Sequence, residues 1–226
     1  MKTLRVALDG PAGAGKSTVA KLVAKSLGLT YVDTGAMYRA ITWKALQEQI
    51  NPADEAALTA ISSRVQIDFK LTSEGQDVFL DGVDITEEIR ARDVTANVSA
   101  VSAVPGVRAS LVKLQQEIAN KMGVVMDGRD IGTVVLPDAD VKIWLTASVE
   151  ERARRRYEEM TAKGHQLDFE QLKRDIERRD ELDSGREHSP MKRADDAVIV
   201  DTSGLGIEAV VEKILHICRS AEAQNF

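Results

Sequence analysis

The chain has one cysteine, five prolines and only 4% aromatic residues in 226 positions. A single thiol excludes a disulfide framework and a multi-cysteine zinc site. Cys218 sits in the apolar helical stretch Val210–Cys218, where a small buried hydrophobe is expected. His165, His188 and His216 lack ligand spacing and receive no role. No apolar run approaches the roughly 18 residues of a membrane span. The apolar run after Lys2 stops at Asp9, so no signal peptide is expected. A net charge of −6 argues against a nucleic-acid surface, which is normally basic. What remains is 43% hydrophobic and 29% charged, ordinary for one large domain or one domain with an insertion. The expectation is a cytoplasmic protein, monomeric, with small-molecule partners and neither nucleic acid nor membrane among them.

The most informative segment is Gly10-Pro11-Ala12-Gly13-Ala14-Gly15-Lys16-Ser17, which fits G-x-x-x-x-G-K-[ST] at every fixed position. A strand-forming run, Leu4–Leu8, precedes it and a helix-forming run, Thr18–Lys25, follows. Glycines let backbone N–H groups converge on phosphate oxygens, and the helix N-terminus adds partial positive charge. Residues 10–18, Thr18 included, are therefore the expected cradle for a nucleoside triphosphate. Lys16 would reach the β/γ-phosphates and Ser17 would ligate Mg²⁺.

Strand candidates Leu4–Leu8, Thr30–Val32, Val124–Met126, Val141–Leu145 and Ala197–Val200 alternate with helical patterns, which predicts a parallel α/β sheet. Asp9, Asp33, Asp127 and Asp201 follow four of these strands, and several acids at one sheet edge fit a metal–nucleotide site. Gly28 is placed to stop the first helix. Ser148-Val149-Glu150-Glu151 reads as a capping box opening a helix to about Lys163, and Asp168 as the cap of a helix over Phe169–Leu182. Val65–Leu71 alternates with period two, and Val78–Leu80, Asp81-Gly82, Val83–Ile85 reads as a tight hairpin. Residues 63–105 are thus expected as a small antiparallel insertion, closed by Pro105-Gly106, in a core of 1–62 and 106–226.

Asp127 at a strand end, followed by Gly128-Arg129-Asp130, is the expected Mg²⁺-side carboxylate. A guanine-reading switch is excluded: Asn120-Lys121-Met122-Gly123 lacks the final acid, and Asp201-Thr202-Ser203-Gly204 comes too late in the chain. Arginine is instead concentrated where a lid of about 152–168 would lie and just beyond it. Arg152, Arg155 and Arg156 share one helical face, and Arg174, Arg178, Arg179, Arg186 and Arg193 follow. Some of these belong to solvated ion pairs such as Glu151–Arg155 and Asp175–Arg179. Others suit bidentate contact with phosphoryl oxygens. Lys16, Arg129, Arg155 and Arg156 are the catalytic candidates.

Three runs together, Asp9–Thr18, Asp33-Thr34-Gly35-Ala36-Met37-Tyr38-Arg39 and Asp127-Gly128-Arg129-Asp130-Ile131-Gly132-Thr133-Val134-Val135, resemble the bacterial cytidylate kinases of the nucleoside-monophosphate kinase family. The resemblance extends over essentially the whole chain. It implies a P-loop α/β fold with a five-stranded parallel sheet flanked by helices, a monophosphate-binding insertion and a mobile lid. It also implies transfer of the ATP γ-phosphoryl group to CMP or dCMP, in pyrimidine nucleotide metabolism. By position, it makes Thr34, Arg39 and Arg129 contacts to the monophosphate side, and Ser99, Arg108 and Asp130 the base readers. Arg179 and Asp183 become ribose or phosphate contacts, and Arg186 a phosphate contact. An acidic side chain accepting from the cytosine N4 amine would meet the uracil O4 acceptor to acceptor, so selectivity against uracil is expected. Two rivals remain: a kinase of another monophosphate or of a small acid such as shikimate, and a binding module that only switches with ATP.

Overall fold

The computed structural model describes residues 3–72, 76–162, 164 and 166–225; Lys163 and His165 lie outside the described residues. The chain divides into two compact units, Met1–Val32 with Ala119–Phe226, and Asp33–Ile118. The expected insertion of 63–105 falls inside the second unit.

The first unit is built on β1 (Arg5–Asp9), β2 (Thr30–Asp33), β6 (Val124–Gly128), β7 (Val141–Thr146) and β8 (Val198–Asp201). They form a five-stranded sheet in the order β2-β6-β1-β7-β8. β1 pairs in parallel with both β6 and β7, and β7 with β8, as buried aliphatic strands joined through helices should. Val6, Leu8, Val125, Ile143, Leu145 and Val200 form one core with the apolar sides of α1 (Lys16–Leu27) and α8 (Ile207–Asn225). Cys218 is part of that core, and burial pushes its thiol up to about 12, as a structural hydrophobe requires. Helix α1 ends in a Schellman arrangement: Gly28 is left-handed and the Leu29 N–H donates to the Ala24 carbonyl at 2.9 Å. Helices α6 (Val149–Ala162) and α7 (Phe169–Ser184) pack on each other and together carry seven arginines. Among the described residues no helix is long and apolar enough to cross a membrane.

The second unit holds α2 (Thr34–Gln47), α3 (Glu55–Arg64), β3 (Ile67–Leu71), β4 (Gln76–Leu80), β5 (Val83–Asp84), α4 (Arg92–Ala103) and most of α5 (Pro105–Lys121). β3-β4-β5 is antiparallel, and the Asp81-Gly82 turn has φ of 51 and 80°, as a type I′ hairpin demands. Helix α2 packs against α3 and α4.

Three local expectations need correction. The antiparallel part ends at Asp84, and Arg92–Ala103 is helical because Val94, Val98 and Val101 make one buried stripe. Pro105 opens a helix instead of closing a segment, since its fixed φ suits a first helical turn. The capping box forms only in half. Ser148 Oγ accepts the Glu151 N–H at 3.2 Å, but the Ser148 N–H donates to Ser203 Oγ, and the Glu151 carboxylate is taken by Arg154 and Arg155. Asp168 caps α7 through the Gln171 N–H as expected.

Gly10 leaves β1 with φ of 149°, and a Cβ there would stand 1.9 Å from the Leu145 carbonyl oxygen of β7. No side chain fits, so the turn toward α1 is possible only with glycine. Gly10→Ala should lower unfolding free energy by at least about 2 kcal/mol, from strain and overpacking together. Denaturant unfolding checks this; an unchanged midpoint would contradict the close approach.

Candidate active site

The phosphate-cradling loop spans the gap from β1 to α1. Its backbone N–H groups end on the first turn of α1, which has no acidic residue and is preceded by left-handed Gly15. The helix amides and dipole are therefore left to an anion. Lys16 is buried and its Nζ donates to the Pro11 carbonyl at 2.7 Å. Ser17 Oγ donates to Asp127 Oδ2 at 2.9 Å, and the Tyr31 hydroxyl donates to Asp127 Oδ1 at 2.8 Å. Asp127, at the end of β6, is buried and fixed from both sides.

Beside this loop the first unit gathers arginines around one acid. Asp183 of α7 is 2% exposed, accepts from Arg129 Nε at 3.0 Å and is paired with Arg186. Burial works against its ionisation, yet Arg129, Arg186 and Arg179 outweigh burial and hold its carboxyl below the ordinary range. Lys16 feels the opposite balance. Burial and then the positive Arg129 push its ammonium well below its ordinary value, Asp127 opposes them, and Arg179 adds to the depression. Excess buried positive charge of this kind is relieved by an incoming polyanion.

The second unit positions the rest. Thr34, buried, begins α2 behind the Asp33 cap, whose carboxylate accepts the Ala36 N–H. Arg39 donates to Thr95 Oγ1 at 2.9 Å. Arg108 is buried, donates to the Ser102 carbonyl at 3.0 Å, and lies 5.2 Å from the Tyr38 ring centroid, a cation–π contact. The Ser99 carbonyl accepts from Ser102 Oγ. So Thr34, Arg39, Ser99 and Arg108 belong to one unit, and Arg129, Asp130, Arg179, Asp183 and Arg186 to the other.

The strand-end acids do not act as one set. Only Asp127 reaches Ser17. Asp33 is a helix cap, Asp201 accepts the Ser203 N–H, and Asp9 accepts the N–H groups of Ile131 and Gly132 at 2.8 and 2.7 Å. Asp9 thereby starts the wide i→i+5 turn at Ile131–Val135, whose carbonyl origin is Asp130. It fixes the peptide that presents Asp130 and Arg129, a role its position after a strand did not announce.

The expected lid arginines also part company. Arg155 donates to Glu151 and to both the hydroxyl and the carbonyl of Thr202, and Arg156 pairs with Glu159. Arg152 is the one of the three that touches the loop, donating to the Ala12 carbonyl at 2.7 Å. Asp180 of α7 takes the Ala12 N–H at 2.9 Å. Arg152 was visible as part of an arginine face; nothing in the sequence singled out Asp180.

Among the described residues no three His, Cys, Asp or Glu side chains gather into a metal cage. Mg²⁺ needs less, keeping water and substrate phosphates around one or two protein oxygens. Ser17 Oγ and the Asp127 carboxylate, hard oxygens 2.9 Å apart at the loop, fit that requirement.

Residues 6–220 match the cytidylate kinase family. The chain belongs to that family. A cytidylate kinase of Streptococcus pneumoniae (strain 70585) is 57% identical over 215 residues, covering 95% of this chain and 96% of the relative. The cytidylate kinase of S. pneumoniae serotype 4 (strain ATCC BAA-334 / TIGR4) is as similar, with the same coverage. Among solved structures, an uncharacterised protein of Eubacterium ventriosum shares the fold at 13% identity and TM-score 0.56, over 97% of this chain and 99% of its own. A gluconokinase of Sinorhizobium meliloti does so at 15% and 0.51, over 100% and 97%. The cytidylate kinase family signature thus rests on a P-loop kinase fold.

Burial pushes the Asp9 carboxyl up to about 6, against the pull of the Gly132 and Ile131 N–H groups. A carboxyl raised in the folded state costs stability once ionised, so its penalty applies above pH 6 and fades as pH falls toward 4. Relative to Asp9→Asn, the wild type should gain about 3 kcal/mol or less between pH 7 and pH 4. Paired denaturant titrations across that range check it, and a pH-independent difference would contradict the buried, ionised carboxylate.

Proposed function

We infer that the chain is a nucleoside-monophosphate kinase transferring the γ-phosphoryl group of ATP to CMP or dCMP. The observation that carries this reading is the loop itself: Lys16, Ser17 and Asp127 converge where β1 gives way to α1, beside the arginine cluster on Asp183. Residues 10–18 hold the triphosphate. Thr34, Arg39 and Arg129 take the acceptor phosphate, with Arg186, and with Arg179 and Asp183 at ribose or phosphate. Ser99, Arg108 and Asp130 read the base.

In the transfer, an oxygen of the CMP phosphate attacks the γ-phosphorus in line. A new P–O bond forms as the bond to the β–γ bridging oxygen breaks, and ADP leaves with that electron pair. The attacking oxygen is already anionic, so no general base is required. Lys16 and Arg129 oppose the charge spreading over the equatorial oxygens. Arg155 and Arg156 serve the same end once freed from Thr202 and Glu159. Ser17 and Asp127 would hold Mg²⁺, which when bound neutralises β- and γ-phosphate oxygens. The acidic charge and single buried thiol support a cytoplasmic, monomeric enzyme.

Asp130 carries the choice of base. Its carboxylate, buried after β6, suits the N4 amine of cytosine and repels the O4 of uracil. In a coupled ADP-release assay over CMP, dCMP, UMP, AMP and shikimate, CMP or dCMP should turn over fastest. A faster third acceptor overturns the reading. Asp130→Asn should shrink the CMP-to-UMP ratio of kcat/KM by about tenfold or more. A ratio left as in the wild type removes Asp130 from the base pocket.

A further inference from the structure

The Ala12 peptide is held in a closed ring of hydrogen bonds. Its N–H donates to Asp180 Oδ1 at 2.9 Å, its carbonyl accepts from Arg152 Nη1 at 2.7 Å, and the same Arg152 nitrogen is paired with Asp180 Oδ2. Arg152 is 4% exposed and is anchored to its own chain through Nε on the Ala147 carbonyl at 3.1 Å. Its Cβ lies close enough to Gly13 that a Cβ added there would stand 3.2 Å away. The two charges come from different helices, Arg152 from α6 and Asp180 from α7. The pair is neutral as a whole.

We propose that Arg152 and Asp180 are positioning residues that register the donor-phosphate loop against α6 and α7. The argument is one of geometry and charge. A glycine-rich loop has many conformations of similar energy, and only one aims its amides together. The ring removes the N–H and carbonyl of Ala12 from competition, so the donors offered to the triphosphate begin at Gly13. It also ties the loop to the helix that carries Arg179 and Asp183. A displacement of α7 is thus felt at Ala12, three residues after β1. The pairing is obligatory: a lone Asp180 carboxylate beneath the loop would repel the phosphates, and a lone Arg152 would be a buried unpaired charge. Arg152 therefore acts through the Ala12 peptide, and its distance from the arginine pair Arg155–Arg156 in role follows from its burial.

The inference rests on the ATP reading of the loop, and one set of measurements separates the two. ATP binding by calorimetry, KM for CMP and kcat are compared in the wild type, Asp180→Ala, Asp180→Asn and Arg152→Met, with thermal melting of each. Asp180→Ala should weaken ATP binding by about tenfold and lower kcat, leaving KM for CMP within about twofold, because a small misplacement of the loop penalises only the donor side. Asp180→Asn keeps an acceptor for the Ala12 N–H and should recover ATP affinity to within about threefold of the wild type. Arg152→Met, which strands the carboxylate, should bind ATP less well than Asp180→Asn. If Asp180→Ala does not fold, the order of Asp180→Asn and Arg152→Met decides. Equal ATP affinity across the variants, or parallel losses for ATP and CMP that follow the melting temperatures, overturns the positioning role. A wild type that fails to bind ATP overturns the loop reading instead.

Discussion

Everything in the first unit follows from one constraint: positive charge and unpaired amides must be concentrated at a sheet edge without collapsing onto the protein itself. The loop from Gly10 to Ser17 meets it by having almost every other polar group tied down. Gly10 is pressed against the Leu145 carbonyl, Ala12 is ringed by Arg152 and Asp180, Lys16 rests on the Pro11 carbonyl, and Ser17 leans on Asp127. What is left pointing outward is a row of N–H groups at a helix N-terminus, which is an anion site by construction.

Buried carboxylates make this charge density tolerable, and each does a different job. Asp127 faces the hydroxyls of Ser17 and Tyr31 and keeps its oxygens beside the loop. Asp183 gathers Arg129 and Arg186 into one array and stays ionised because of them. Asp9 accepts the N–H groups of Ile131 and Gly132 and is raised by burial, so it resembles a cap more than a counter-ion. Four acids following four strands looked alike as letters. Their partners distinguish them: Asp33 and Asp201 cap local N–H groups two or three residues on, whereas Asp9 and Asp127 meet groups about a hundred residues away in the chain.

The sheet, the P-loop and the hairpin were legible because each has a local signature. Short aliphatic runs between helical patterns located all five strands to within a residue or two, and Asp81-Gly82 announced its own turn. Residues 85–105 were harder, since the helical stripe of Val94, Val98 and Val101 competes with the β-like valine content of the same stretch. At the site, Lys16, Ser17 and Asp127 were readable from motif and strand end. Asp180 was not, because an acid on an arginine-rich helix looks like one more i,i+4 partner until the fold brings Ala12 to it. Arg152 shows the converse: helical spacing grouped it with Arg155 and Arg156, and burial separated it from them.

Lys16→Ala tests the central claim most directly, because it removes the loop's one ammonium while leaving its glycines and its Asp127 partner in place. The account predicts a folded protein whose kcat falls at least about 10²-fold, with ATP affinity reduced and CMP affinity little changed. A variant that turns over at near the wild-type rate would contradict it.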